Sequence, residues 1–161
     1  MGKWRTLFEV DLPPVAERLY RTGYDFGPPA TLEEIVAAET ALKVQFPAEV
    51  REMLSEFNGL WRRTHFDDGR EYRDIHFLDI RHVTVDVPAY FAECGNPLPP
   101  KKDRRKVVWV AQSNGFGDLW GGCTEDVAGH LAEAVVKLDH EVGEFEPSHP
   151  SLADFVRHGP K

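Results

Sequence analysis

Cysteine is scarce in this sequence: its 161 residues include two, Cys94 and Cys123, with 28 residues between them. They are too few and too far apart for a paired metal motif or a disulfide framework. Two reduced thiols are therefore expected, with Cys123, after Gly121-Gly122, at the surface. Long apolar runs are also missing. No stretch approaches the roughly 20 residues that a membrane-spanning helix needs, so no membrane partner is expected. Met1-Gly2-Lys3-Trp4-Arg5 has neither the apolar stretch nor the small-residue cleavage site of a secretory signal. Arg5-Thr6 fits an acylation motif poorly. The expected location is the cytoplasm.

Positive charge is in short supply: 19 Lys and Arg stand against 27 Asp and Glu, a net charge of −8. That balance disfavours a protein that grips nucleic acid through phosphates and favours basic protein partners. The deficit is uneven. Residues 31–61 hold 2 basic and 6 acidic side chains, and residues 111–161 hold 3 and 9. The one basic stretch, Lys101-Lys102-Asp103-Arg104-Arg105-Lys106, lies in a Pro97–Lys106 segment read as a solvated loop. Trp109 is close enough to stack on a base, but it sits in a strand and is assigned to the core, so no nucleic-acid partner is expected.

Signatures of catalysis are missing as well. There is no Walker-type Gly-Lys-Ser/Thr and no Gly-x-Ser-x-Gly elbow. Gly115-x-Gly117 lacks the third glycine of a dinucleotide loop, because position 120 is Trp120. It reads as a tight turn. Of the seven histidines, no two show the i, i+4 spacing around a glutamate that places two imidazoles on one helical face. His76 and His82, on one strand, would lie about 20 Å apart. In Asp139-His140-Glu141, a strand would point the histidine away from both carboxylates. The acid pairs Glu33-Glu34, Asp67-Asp68 and Glu125-Asp126 read as solvated faces. No catalytic residue, metal or cofactor is expected.

What is present is enough to fold. Hydrophobic residues make up 42% of the chain and aromatics 11%, and the length suits one domain over 1–161. Pro13 to Arg21, with Val15, Ala16, Leu19 and Tyr20 on one side and Gly23 behind, predicts a helix. Thr31-x-x-Glu34 is a capping box. Leu32, Ile35, Val36 and Leu42 follow at helical spacing, with Glu39 inside the apolar stripe. Pro47, taken as the first helical residue, opens another helix, with Val50, Met53, Leu54 and Phe57 on one face and Asn58-Gly59 closing it. Residues 75–80, 107–111 and 119–120 are strand-like, 132–142 is ambiguous, and 151–158 reads as a short helix. The class is α+β, a mainly antiparallel sheet packed against helices: N-terminal helices, then strands, then a short C-terminal helix. Residues 1–30 read as a helical extension.

The stretch Thr31–Gly59 resembles the SUKH superfamily, the Smi/Knr-type domain. That domain's opening runs as a helix ending "E-x-x-L-G-x-x-L-P" and a second helix ending "N-G". Here Glu39-x-x-Leu42-Lys43-x-x-Phe46-Pro47 carries Lys43 for the glycine and Phe46 for the leucine. Val107–Ala111 with Gly115-Phe116-Gly117-Asp118 is similar to the strand and "G-x-G-D" turn. Val135–Glu141 is similar to the strand ending "D-H-E", and Ser151–Val156 to the closing helix. The resemblance implies a non-catalytic binding protein without cofactor, in bacteria an immunity protein that neutralises a cognate toxin, often a nuclease. A regulatory scaffold is the alternative, and a small hydrolase using His140 with nearby acids is a third. The motif residues read as structural, with Glu39 taking hydrogen bonds from nearby backbone. The partner, expected to be a basic toxin domain, is assigned to Trp61, Asp67, Asp68, Asp118, Glu125 and Asp126. A monomer or weak dimer is expected.

Overall fold

The computed structural model describes residues 2–10, 20–66, 69, 71–87, 98–113, 117–139 and 141–158. Helix α1 (Lys3–Val10) is followed by strand β1 (Tyr20–Phe26), helices α2 (Leu32–Leu42) and α3 (Ala48–Glu56), and strands β2 (Leu60–Phe66) and β3 (Glu71–Phe77). A short helix α4 (Lys101–Arg104) precedes strands β4 (Val107–Ser113), β5 (Leu119–Cys123), β6 (Val135–Leu138) and β7 (Phe145–His149). Helix α5 (Leu152–His158) closes the chain. The seven strands form one sheet in sequence order, every neighbouring pair antiparallel. The α+β class and the closing helix agree with the sequence, and Val135–Leu138 is a strand, as the resemblance implied.

Helices α1, α2, α3 and α5 pack on one face of the sheet. The main core there joins Trp4, Phe8, Ile35, Met53, Phe57 and Phe155 to Leu60, Phe77, Val108 and Trp120 from the strands. Phe8 meets Phe57 and Phe77 edge-on, at ring centroids of 5.6 and 5.1 Å. On the other face a smaller cluster of Val107, Trp109, Leu119, Val136 and Leu138 is covered by Val87, Leu98 and Phe145. Alternation along β4 and β5 sends successive residues to the two cores.

Several sequence expectations need correction. Tyr20 and Arg21 belong to a strand, not a helix, and Gly23 lies mid-strand opposite Arg63 instead of closing a helix. The remainder of that expected helix, 13–19, lies outside the described residues. The stretch 1–30 is therefore not simply helical. α1 is buried through Trp4, Leu7 and Phe8, and β1 pairs with β2. Helix α2 turns Ile35 inward but leaves Leu32 67% and Val36 46% exposed, so the apolar stripe is narrower than its spacing implied. Pro47 is the N-cap of α3, one position before the helix. Cys123 is fully buried, not at the surface. Part of the segment read as a loop is helix α4, and Glu141 and Val142 lie in a turn, with Asp139 Oδ1 accepting their N–H groups at 2.7 and 3.2 Å.

One device recurs among the helices: a glutamate caps each of the four that pack on the sheet. The orphan N–H groups of a helix start need acceptors, and a carboxylate also suits the positive end of the dipole. Thr31 and Glu34 cap α2 reciprocally. The other three caps come from distant elements. Glu56 accepts from Trp4 and Arg5 at the start of α1. Glu133 accepts the Ala48 N–H of α3 through both oxygens, at 3.2 and 3.1 Å. Glu49 accepts the Ala153 N–H of α5 at 2.9 Å. Glu39 takes the Phe46 N–H at 2.8 Å, and Glu52 pairs with Lys3. Of the six acids in 31–61, only Glu33 lacks an intrachain partner among the described residues. The acidity of that segment is spent on holding helices in place.

Candidate functional site

Strand registry places one row of residues across the whole sheet: Asp25, Trp61, His76, Gln112, Leu119, Leu138 and Phe145. Leu60 and Phe77, paired with each other, face the helices, so Trp61 and His76, the next pair, face away from them. At the β5–β7 end the row belongs to the second core. At the β1–β4 end it presents Trp61 and His76, partly exposed and stacked with ring centroids 3.7 Å apart and planes 9° from parallel. The register shifts between Trp61 and Arg63. Such a bulge breaks the ladder and re-aims the side chains beside it.

The ground under this pair is rigid. Gly59, at φ +91°, occupies backbone space that favours glycine. A side chain there would begin 3.1 Å from the Asp79 Cβ. Asn58 Oδ1 accepts the Ile80 N–H, so the Asn-Gly pair bolts the end of α3 to the segment after β3. Asp79 in turn binds Arg81 through Nε and Nη2, at 3.2 and 3.0 Å, and lies 3.0 Å from His82 Nδ1. The Arg81 hydrogen bonds, above all, bring its carboxyl down to about 2, aided by His82 against partial burial. Burial lowers the pKa of His76; Asp79 opposes that and His82 adds to it. A neutral imidazole stacked on indole is a flat platform suited to an apolar or cationic group.

The other assigned residues do not join this platform. Asp118, just before β5, borders a cluster around Lys137, whose Nζ lies 3.9 Å from Asp118, 3.0 Å from Asp139 and 2.9 Å from Glu146. Burial works against the ammonium, but the hydrogen bonds to Glu146 and Asp139 and the field of Asp118 outweigh it and raise its pKa. Glu125 and Asp126 follow the far end of β5, roughly 20 Å away along the strand. Glu125 pairs with Lys106 at 3.6 Å, and Asp126 accepts the Ala132 N–H at 2.9 Å. Asp67 and Asp68 lie outside the described residues. Thus Trp61 stands with His76, which the sequence reading counted among scattered histidines. Only the 61–76 strand pairing could have linked the two.

The residues considered for chemistry are engaged elsewhere or outside the description. Burial, helped by Asp126, lifts the Cys123 thiol to about 11, far from a reactive thiolate. His140, Cys94 and Gly115 lie outside the described residues. Gly117 is at φ +81°, and Ser113 and Asp118 exchange hydrogen bonds across the β4–β5 turn, as a turn reading requires. Among the described residues no three His, Cys, Asp or Glu side chains stand close enough to hold a metal ion, and no helix is long and apolar enough to cross a membrane.

The family model described as SMI1 / KNR4 family (SUKH-1) matches residues 29–158. That span runs from just before the α2 capping box to the end of α5. No curated protein matches the chain.

Proposed function

The chain belongs to the SMI1 / KNR4 family (SUKH-1), and from that premise we propose that it is a non-catalytic, cytoplasmic immunity protein. It binds and neutralises a cognate toxin domain. The observation that carries this reading is the family match over 29–158, which covers all the helices and strands beyond β1. The partner docks on the face that carries Trp61 and His76. An aromatic platform held by a bulged strand and a glycine-locked junction is pre-organised, and pre-organised aromatic groups make binding anchors.

The distribution of charge refines what partner is expected. Five of the six acids of 31–61 also serve caps or ion pairs, so their arrangement is explained by the fold as well as by a basic partner. The C-terminal third carries exposed acids at Glu125, which pairs with Lys106, and at Glu141 and Glu144. A basic toxin would be drawn first toward that end of the molecule. The test is a search of the neighbouring reading frames for a toxin domain and its co-expression with this chain. Survival of cells that otherwise die, with co-purification of the two proteins, is the expected outcome. Death despite soluble expression of the chain would count against the reading.

A further inference from the structure

Away from the Trp61–His76 platform, at the other end of β4, a cleft of about 180 Å³ opens between the Val85–Val87 segment and α4. Its lining is Val85, Asp86, Val87, Lys101, Arg104 and Arg105. The wall is fixed. Thr84 Oγ1 accepts the Asp86 N–H at 2.9 Å, and the Thr84 carbonyl accepts the Trp109 N–H at 2.8 Å, tying the segment to β4. On the opposite side, i, i+3 and i+4 spacing brings Lys101, Arg104 and Arg105 onto one face of the short turn.

These three cations differ from others in the molecule. Lys3, Arg51, Arg81, Lys106 and Lys137 each have a carboxylate partner. Lys101, Arg104 and Arg105 have none among the described residues. Arg104 Nε is buried without any hydrogen-bond partner among the described residues, so nothing described offsets the desolvation of this donor. The cleft holds about six waters' worth of space, so a small oxyanion fits. Two guanidinium forks and an ammonium lining one small cleft suit a tetrahedral dianion better than a flat carboxylate.

We propose that this cleft is a phosphoryl-binding site, with Arg104 and Arg105 donating to the phosphoryl oxygens and Lys101 adding charge. Asp86 is the one carboxylate in the lining, and it opposes the anion. The site is independent of the immunity reading and stands or falls separately from it.

The experiment is a titration of the full chain with inorganic phosphate at low ionic strength, followed by amide chemical shifts. Saturable shifts confined to 84–87 and 101–105 are expected. Arg105→Ala, at an exposed position, is expected to weaken binding about tenfold without unfolding the chain, which covers the case in which Arg104→Ala disturbs folding. Asp86→Asn is expected to tighten binding, an effect that a merely structural role for these residues would not produce. Parallel titrations with a nucleoside 5′-monophosphate and a short single-stranded oligonucleotide separate the sources. Equal affinity for phosphate and nucleotide supports a free anion or monoester as the ligand, and tighter binding of the oligonucleotide supports a nucleic-acid backbone. Absence of saturation with phosphate, or binding indifferent to Arg105→Ala and Asp86→Asn, would overturn the proposal.

Discussion

Glu39 Oε1 accepts the Phe46 backbone N–H at 2.8 Å, joining the end of α2 to the residue before Pro47, where α3 is about to begin. Its side chain is only 13% exposed, and Arg51 Nε lies 3.7 Å from the same oxygen. The ion pair is long and the amide bond is short, so the hydrogen bond is the principal interaction. Glu39→Ala is expected to lower unfolding free energy by about 2 kcal/mol by leaving the amide unmet. Glu39→Gln, which keeps an acceptor oxygen, is expected to recover most of that loss. Urea denaturation of both variants tests this; equal losses would assign the effect to charge instead.

Glu133 and Ala48 are 85 positions apart, yet the Glu133 carboxylate is the side-chain cap of α3, because Pro47 supplies none. Glu133 itself sits at φ +68°. Glu133→Ala is expected to cost about 1 kcal/mol and to raise amide hydrogen exchange first in the opening turn of α3. A uniform rise across the sheet would contradict the capping role.

Lys43 closes α2 in left-handed geometry, φ 56° and ψ 43°, with its N–H bonded to the Glu39 and Thr40 carbonyls. A side chain at that φ costs about 1 kcal/mol or more, and glycine avoids the cost. Lys43→Gly is therefore expected to stabilise the chain by about that amount, read as a higher urea midpoint at unchanged slope. A destabilised variant would contradict the assignment.

The Asp79 carboxyl sits at about 2 in the folded chain against an ordinary 3.8. A depressed carboxyl contributes stability that is complete above the unfolded value and is lost as pH falls through the folded one. Wild-type stability is thus expected to drop between pH 3.8 and about 2, while Asp79→Asn starts lower and falls less steeply. Denaturation curves taken across that window decide the matter, and parallel slopes for the two proteins would exclude Asp79 as a source of the acid response.

The sequence disclosed the parts of the fold that are local. Thr31 with Glu34 is a signal written within a few residues and sits where its chemistry requires. Pro47 marks the start of α3 as its N-cap, one position before the helix. Helix α3 ends at Glu56 with an extended Phe57, so Asn58-Gly59 lies just past it, where Gly59 takes its positive φ. Strand β1 does alternate, with Tyr20, Thr22, Tyr24 and Phe26 set against Arg21, Gly23 and Asp25, but the helix expected from Pro13 to Arg21 overlaid that signal. Strand β2 was hidden because Leu60–Phe66 is rich in basic residues and lacks an apolar alternation. Their state is set by neighbours in the sheet. Distant caps are equally invisible in one dimension: nothing near Glu133 names Ala48, and nothing near Glu49 names Ala153. The same holds for the candidate site. Trp61 was legible as an aromatic anchor, but its stacking partner His76 is 15 positions away and reaches it through strand registry. A −8 charge indicated a basic partner, while the caps reveal that much of the acidity is internal.

The most direct measurement is the affinity of the proposed partner, a toxin domain that the chain protects against, for the wild-type chain and for Trp61→Ala, by calorimetry, with thermal melting of each protein alongside. Saturable binding by the wild type, weakened at least about a hundredfold in Trp61→Ala with its melting little changed, is the expected result. Undiminished binding by Trp61→Ala, or no binding by the wild type, would contradict a partner seated on the Trp61–His76 platform.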